Sequence, residues 1–389
     1  MTASITVRKT YQYRLYRCDK KDRKLRHKIF VASTIWNHFI ALQRRYYRLS
    51  GNYIPLTEMN NHVLKLRRTA RFALWRDLHS QCCQNVCYRV DDGYQRFFKK
   101  LAKHPPKFKK AKRYASFTFP QKGYTLEGHK ITIDGTVYKF VKHREMAGTI
   151  KTLTVKRDRI GRLWLFFSVL EEMAMEGEAS TGKSGGFDFS LKDFLVDDEG
   201  RPHAKPLFYT DSLNQTRKLH RELSRKKEGS RRYKSARRKL AKHSADVANA
   251  RREHHFKQAH QLCNQYDTMY FEDLNLAGMK AMWGRRVSDL SFASFLSILD
   301  WIAFKRGKQV VKIDRWYPSS QLCSGCGFQN KALTLRDRAW TCPHCGTQHQ
   351  RDHNAAKNIK TAGSSARSLS ASKPKVRLRR RVEARSPQL

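Results

Sequence analysis

The sequence predicts an α+β fold of several domains, in which an N-terminal β domain holds a helical insertion and precedes an α/β domain with a cysteine-rich insertion. Two observations predict it. Apolar residues alternate with a period of two in the N-terminal half, except where the period lengthens to 3.6. The C-terminal half alternates strand and helix patterns until two Cys-x2-Cys pairs interrupt it. The 389 residues leave room for two or three domains of about 100 to 200 residues.

The N-terminal elements follow from these periods. Residues 5–17 alternate β-branched or aromatic residues with basic ones, which indicates a strand with a solvated, positive face. From Leu25 onward the apolar residues fall three, four or seven apart, as is typical of amphipathic helices. Pro105 and Pro106 end this helical region, because proline lacks the amide hydrogen that a helix interior needs. Further strand patterns then return the chain to the β domain.

The C-terminal half begins after a small, polar segment, 176–186. A strand pair comes first, then a helical region from Asp211 to about Tyr266, and then a strand, a helix and a strand. This order is typical of an α/β domain. The last stretch, 363–389, has eight Lys or Arg, one Glu and many Ser, so we expect a disordered basic tail.

The charge of the chain narrows the class of partner. Its 80 Lys and Arg against 33 Asp and Glu give a formal net charge of +47, which opposes compaction unless a polyanion neutralises it. Apolar residues make up 40% of the chain, which excludes a wholly disordered basic protein. The sequence has no apolar run of about 18 residues to span a bilayer and no apolar signal segment after Met1. We therefore expect a soluble, cytoplasmic, nucleic-acid-binding protein.

Two basic stretches of the sequence indicate where nucleic acid would bind. Residues 217–242 carry thirteen Lys or Arg and two Glu, and residues 99–113 carry eight basic groups and no acid. Aromatic residues flank or interrupt the second stretch, among them Phe98, Phe108 and Tyr114. Because basic groups pair with phosphates and aromatic rings stack on bases, both stretches are candidate nucleic-acid surfaces.

Four cysteines form the most specific local pattern. Cys323 and Cys326 make one Cys-x2-Cys pair, and Cys342 and Cys345 make a second one after fifteen intervening residues. Neighbouring Gly and Pro residues suit the tight knuckle turns that present thiolates to a metal. Four sulfur ligands suit tetrahedral Zn²⁺ and leave no open position, so we predict one structural zinc ion.

Three acidic residues stand where apolar strands end or a helix begins: Asp188, Glu272 and Asp352. Singly, such residues are usually turn or cap residues. Taken together with a nucleic-acid partner, they match the needs of phosphodiester cleavage by two Mg²⁺ ions, which carboxylates hold about 3.5 to 4 Å apart. The neighbouring Asp273 would point to the opposite face of a continuing strand, so we expect it to be a cap or turn residue.

Four motifs in a fixed order resemble the TnpB family, transposon-encoded RNA-guided DNA endonucleases related to the type V CRISPR effectors. They are GFDFSLKDF, YFEDLNLAGM, DRWYPSSQLCSGCG, and the second CPHCG with RDHNAAKNI. The resemblance covers residues 185–360 and, less closely, PKFKKAKRYASFTFP and the opening strand. It implies a guide RNA and double-stranded target DNA as partners, with Asp188, Glu272 and Asp352 on the family's catalytic positions.

The resemblance also implies a domain organisation. The N-terminal half would be a β-barrel wedge domain holding a helical recognition insertion, and the C-terminal half a split, RNase H-like RuvC nuclease domain with an inserted, target-nucleic-acid-binding zinc ribbon. The expected bounds are 1–20 and 104–180 for the wedge, 21–103 for the recognition insertion, 181–316 and 347–362 for the nuclease domain, 317–346 for the ribbon, and 363–389 for the tail.

Three alternatives remain beside an RNA-guided nuclease. A nuclease-inactive RNA-guided DNA-binding regulator would not need all three carboxylates. A DNA-strand transferase uses the order Asp, Asp, Glu, whereas the order here is Asp, Glu, Asp. A zinc-ribbon RNA-binding protein would need no acids at strand ends. Outside these motifs, Cys82, Cys83 and Cys87 lie on a helical pattern without knuckles, which favours buried free thiols over metal ligands.

Overall fold

The computed structural model describes residues 4–174, 179–203, 208–275, 278, 284, 290–334 and 336–370. The chain divides into two compact units, one built on Ile5–Met173 and the other on the chain from Ala174 onward. Among the described helices, none combines the length and the apolar character of a membrane span.

The N-terminal unit contains three long helices between its first and second strands. The helices are α1 (Asp19–Ser50), α2 (Leu56–Arg68) and α3 (Ser80–Phe98). The strands are β1 (Ser4–Arg14), β2 (Ser116–Phe119), β3 (Thr125–Glu127), β4 (Lys130–Ile133), β5 (Thr136–Lys139), β6 (Thr149–Arg157) and β7 (Leu163–Ala174). The helical spacing that starts at Leu25 buries one face of α1, and Gly51, with φ of 70°, ends that helix in the left-handed conformation.

The strands of this unit form two open sheets. One sheet has the order β1-β7-β6-β2 and the other the order β3-β4-β5. An isolated bridge between Leu15 and Phe140 joins them. The predicted closed β-barrel is therefore wrong for the described residues. The physical reason lies at β2, the outer strand of the first sheet: the Ser116 carbonyl accepts a hydrogen bond from the Arg89 side chain of α3 (3.1 Å) where a barrel would place the amide of another strand.

The C-terminal unit is a sheet with helices on both faces and a small hairpin. Its strands are β8 (Ser184–Ser190), β9 (Phe194–Asp197), β10 (Pro202–His203), β11 (Thr268–Glu272), β12 (Gln309–Ile313), β13 (Ala339–Thr341) and β14 (Gln348–Gln350). Its helices are α4 (Phe208–Ser224), α5 (Arg231–Gln265), α6 (Phe292–Lys305) and α7 (Arg351–Ser370). The mixed α+β class predicted from the sequence is confirmed.

The five-stranded sheet has the order β10-β9-β8-β11-β12. Strands β8, β9 and β10 pair antiparallel, whereas β8, β11 and β12 are parallel. Phe187 and Phe271 face a core formed with α5 and α6, while Tyr270 packs with Ile359 of α7. Since side chains alternate along a strand, Asp188 and Glu272 lie on the same face of the sheet as α7.

Two glycines let α7 lie close to this sheet. A Cβ added to Gly186 of β8 would collide with the Ala356 carbonyl and would stand 2.7 Å from the backbone nitrogen of Lys360. A Cβ added to Gly363 of α7 would collide with the ring of Tyr270. The close approach of helix and sheet therefore needs residues without side chains at both positions.

Helix α7 also corrects one predicted boundary. It continues through Ser370, beyond residue 363, where the sequence predicts a disordered tail. The remaining tail residues, 371–389, lie outside the described residues. The basic stretch 217–242 covers the end of α4 and the beginning of α5, where its Lys and Arg residues are mostly exposed.

Candidate active site

Asp188 and Glu272 stand side by side on two parallel strands, Glu272 at the end of β11 and Asp188 two residues before the end of β8. The register of β8 and β11 pairs Phe187 with Phe271, and each acid follows its Phe by one residue. Both side chains are half-buried. Burial and the negative charges of Glu272 and Asp352 raise the pKa of Asp188 well above its usual range, although the Arg351 guanidinium opposes this effect.

Glu272 has a second partner that its strand does not supply. The Ser319 hydroxyl donates a hydrogen bond to its Oε1 atom. Burial raises the pKa of Glu272, whereas the Ser319 hydroxyl and the positive charge of Arg351 lower it. The bond to Ser319 occupies one carboxylate oxygen, so the other oxygen remains for a ligand.

Asp352 comes from the other side, in the first turn of α7, where the helix dipole favours a negative charge. Its side chain is half-buried, and its Oδ1 atom lies 3.8 Å from a guanidinium nitrogen of Arg338. Its charge contributes to the raised pKa of Asp188. The three acids predicted from the sequence thus lie on β8, on β11 and in the first turn of α7, the helix that packs on the sheet face of Asp188 and Glu272.

This donor set suits a hard divalent cation. Burial disfavours a charged carboxylate, and the negative charges of Glu272 and Asp352 add to this effect at Asp188. Carboxylate oxygens are the ligands that Mg²⁺ prefers, and a cation among them would offset this repulsion. Arg351 supplies only part of that compensation from the protein itself.

The four cysteines form the predicted cluster, which is confirmed. Their sulfur atoms all lie within 4.8 Å of one another, and they are the one such compact group of ligand atoms in the described part of the chain. The sulfurs of Cys323 and Cys345 are 3.6 Å apart, and those of Cys326 and Cys342 are 3.7 Å apart. Tetrahedral zinc with Zn–S bonds of about 2.3 Å would separate its sulfurs by about 3.8 Å, so the cluster fits this ion.

The two knuckles are built alike. The Gly327 amide donates to the Cys323 carbonyl and the Gly346 amide to the Cys342 carbonyl, each at 2.9 Å. Both glycines have positive φ, 76° and 73°, as this turn requires. Hydrogen bonds from Thr347 lower the pKa of Cys345 to about 6, which favours the thiolate that a metal needs.

Two asparagines that the sequence analysis missed attach the first knuckle to α7. The side-chain oxygen of Asn354 accepts from the Ser324 backbone amide (2.9 Å), and its side-chain nitrogen donates to the Leu322 carbonyl (2.6 Å). The Asn358 amide group donates to the carbonyls of Ser319 and Leu322, each at 2.7 Å. Both asparagines are buried. Their spacing of four residues on the helix that follows Asp352 is the signal that could have revealed them.

Asp273 does not belong to the set of three candidate acids, Asp188, Glu272 and Asp352. Its side chain forms an ion pair with Arg315, with a nitrogen–oxygen distance of 2.6 Å, and the Arg315 side chain also donates to the Asp273 carbonyl at 2.9 Å. Cys82, Cys83 and Cys87 are buried, and burial raises the pKa of the Cys83 thiol to about 12. Such thiols remain protonated and unreactive.

The aromatic residues near the stretch 99–113 are partly used within the fold. The Lys109 ammonium lies 3.8 Å from the ring centre of Trp36, and the Arg44 guanidinium lies 4.8 Å from that of Phe108. Phe98 and Phe108 nevertheless remain 48% and 51% exposed, so each can present a ring face or edge. The described structure therefore keeps basic and aromatic groups together on this surface.

Comparisons with known proteins agree with this architecture. A family model described as "Probable transposase" matches residues 167–282, and one described as "Cas12f1-like, TNB domain" matches residues 292–359. A "Putative RNA-guided DNA endonuclease" of Streptomyces pristinaespiralis is 27% identical over 92% of this chain and 90% of its own. The "Putative RNA-guided DNA endonuclease InsQ" of Escherichia coli strain K12 is 25% identical over 85% of this chain and 86% of its own.

Solved structures with a similar fold come from CRISPR effectors. A Cas12f1–sgRNA–target DNA complex gives a TM-score of 0.56 at 12% identity and covers 91% of this chain and 99% of its own. The mini-RNA-guided endonuclease CRISPR-Cas_phi3 gives 0.52 at 10% identity over 92% of each chain. The fold is therefore of the class that the small Cas12 effectors share. Within that class, the family models and the curated relatives support a protein of the TnpB family.

Proposed function

We propose that the protein is an RNA-guided DNA endonuclease. It binds a transposon-derived guide RNA, recognises a short motif beside the target, and lets the guide pair with one strand of double-stranded DNA. Its relatives of 27% and 25% identity carry the name of this activity. The net charge of +47 suits a protein that holds two nucleic acids. The observation that carries the proposal is the parallel register of β8 and β11, which sets Asp188 beside Glu272 on the sheet face where α7 packs, while α7 carries Asp352 in its first turn.

The reaction proposed is phosphodiester hydrolysis in a RuvC-like site. When bound there, two Mg²⁺ ions would activate water and stabilise the leaving oxygen. Asp188 and Glu272 would be their ligands, and Asp352 would complete the site from α7. Ser319 holds one oxygen of Glu272. Arg351 balances part of the negative charge.

The four cysteines would hold one Zn²⁺ ion with a structural role. A shell of Cys323, Cys326, Cys342 and Cys345 is closed, so it offers no position to a substrate. We assign the ribbon around it to binding of the target nucleic acid. Its first knuckle joins the helix that carries Asp352 through Asn354.

The proposed organisation keeps the domains expected from the sequence, with an open β domain in place of a barrel. The N-terminal unit would hold the guide RNA and the flanking motif, and the C-terminal unit would cut. The two basic stretches of the protein, 99–113 and 217–242, would draw it to nucleic acid in the cytoplasm of a prokaryotic cell, including the nucleoid.

The decisive experiment combines RNA sequencing with a cleavage assay. RNA that copurifies with the protein should be one defined species, and a DNA duplex matched to it should be cut in Mg²⁺ and left intact in excess EDTA. Ribosomal or random RNA fragments would remove the guided function. Guided binding without any cut would instead support a nuclease-inactive regulator.

A further inference from the structure

We propose that Ser319 is a positioning residue for Glu272, and that through it the first zinc knuckle sets the geometry of the metal site. The proposal rests on the proposed function, in which Glu272 is a metal ligand. It assigns a task to residues outside the three acids and the four cysteines.

The first step is the contact between Ser319 and Glu272. Ser319 is 4% exposed, and its hydroxyl donates to the Oε1 atom of Glu272. A hydrogen bond to a carboxylate fixes the orientation of that group more firmly than packing does, because it is directional and charge-assisted. With Oε1 held in this way, the orientation of the whole carboxylate is fixed on the sheet face that Glu272 shares with Asp188.

The second step is what holds Ser319 itself. Its carbonyl accepts a hydrogen bond from the buried Asn358 side chain at 2.7 Å. The Leu322 carbonyl, one residue before the first zinc cysteine, accepts from both Asn354 and Asn358. The segment from Ser319 to Cys323 is therefore bound to α7 at two places.

The segment that contains Ser319 couples the position of α7 to that of Glu272. Helix α7 carries Asp352 at its start, and strand β11 carries Glu272 at its end. The segment with Ser319 bridges these two elements through hydrogen bonds on both sides. Removing the Ser319 hydroxyl would leave the helix and the knuckle in place while releasing Glu272. The bridge thus transmits the position of the knuckle to a metal ligand.

Ser319→Ala tests this in the full-length protein with its guide RNA. We expect kcat for cleavage of guide-matched DNA to fall about 10- to 100-fold, the usual effect of losing a partner of a metal ligand, while DNA affinity and zinc content stay unchanged. A second readout uses Fe²⁺ in place of Mg²⁺, with ascorbate and peroxide, so that the polypeptide is cut beside the bound ion. The Fe²⁺ concentration for half-maximal cutting near Asp188 should rise by the same factor.

Two variants control the result. Ser319→Thr keeps the hydroxyl and should restore both readouts. Ser320→Ala removes the adjacent hydroxyl, for which the described structure shows no hydrogen bond, and should behave as wild type. An unchanged Fe²⁺ midpoint in Ser319→Ala, loss of zinc in that variant, or an equal defect in Ser320→Ala would each overturn the proposal. If the wild-type protein cut no DNA at all, the proposed function would fail, but the Fe²⁺ readout would still test the contact.

Discussion

The rings of Phe187 and Phe271 stack across two adjacent strands, with centroids 5.1 Å apart and planes inclined by 18°. Each ring stands one residue before an acid, Asp188 on β8 and Glu272 on β11. Because side chains alternate along a strand, the rings enter the core on one face while the acids meet α7 on the other. Apolar packing on one face of the sheet therefore fixes the register of the carboxylates on the opposite face.

Asp188→Ala should abolish cleavage and leave guided DNA binding intact. The change removes a proposed metal ligand without altering the basic surfaces. Binding should tighten slightly, since one carboxylate fewer repels the phosphates of the DNA. Cleavage of guide-matched DNA and filter binding measure the two effects. Asp273→Ala is the control and should keep activity, because Asp273 pairs with Arg315 outside the carboxylate group. Wild-type cleavage rates in Asp188→Ala would contradict the assignment.

Phe271→Ala should destabilise the C-terminal unit by about 3 to 5 kcal/mol, since it empties a fully buried ring site. Chemical denaturation followed by circular dichroism measures the free energy of unfolding. Trp316→Ala truncates a ring that is 85% exposed and should change that free energy by no more than about 0.5 kcal/mol. Equal effects of the two truncations would show that the stacked pair does not support the sheet.

Cys342→Ser should release zinc and loosen the segment between β12 and α7, because metal binding contributes to the folding of such a cluster. Elemental analysis and limited proteolysis measure the two consequences. Cys18→Ser changes an exposed cysteine outside the cluster and should leave the zinc content at one ion per chain. Active protein that contains no zinc would remove the metal from the ribbon.

We expect the ionised Asp267 side chain to make a pH-dependent contribution to the free energy of unfolding. The Lys308 ammonium, 2.6 Å from Asp267 Oδ1, together with the Ser180 hydroxyl and two backbone amides, holds the pKa of this carboxyl well below its usual range. The unfolded chain binds the proton more readily, near the ordinary Asp pKa of about 3.9, so the contribution is complete above that pH and is lost as pH falls toward the lower folded pKa.

Asp267→Asn should therefore lower the melting temperature at pH 7, and the difference from wild type should shrink steadily below about pH 4. Thermal denaturation at a series of pH values measures this. Asp246→Asn, on α5 and outside this network, is the control for a general effect of charge. A difference that stays constant from pH 7 to pH 3 would mean that ionisation of Asp267 does not carry the effect.

The expectations that held were those that depend on neighbours along the chain. The Cys-x2-Cys spacing of Cys323 and Cys326 places two sulfurs on one knuckle whatever surrounds it, and its repetition predicts the partner pair. Similarly, the apolar pattern around Asp188 predicts a strand pair, and Asp188 lies in β8, which pairs with β9. The prediction of a barrel was wrong because closure depends on what lies beside β2, the outer strand of its sheet. There the Ser116 carbonyl accepts from Arg89, which belongs to a helix earlier in the chain.

The sequence by itself determined the α+β class, the positive charge that calls for a nucleic-acid partner and the cysteine cluster, and it named three acids as candidate site residues. Only the tertiary structure decided that two of these acids lie on the sheet face covered by the helix that carries the third, that Gly186 and Gly363 let this helix approach, and that Ser319 meets Glu272. The physical reason is range. Periodicity and turn chemistry act over a few residues, whereas the contact of Ser319 with Glu272 joins positions 47 residues apart and exists only once sheet, knuckle and helix have packed together.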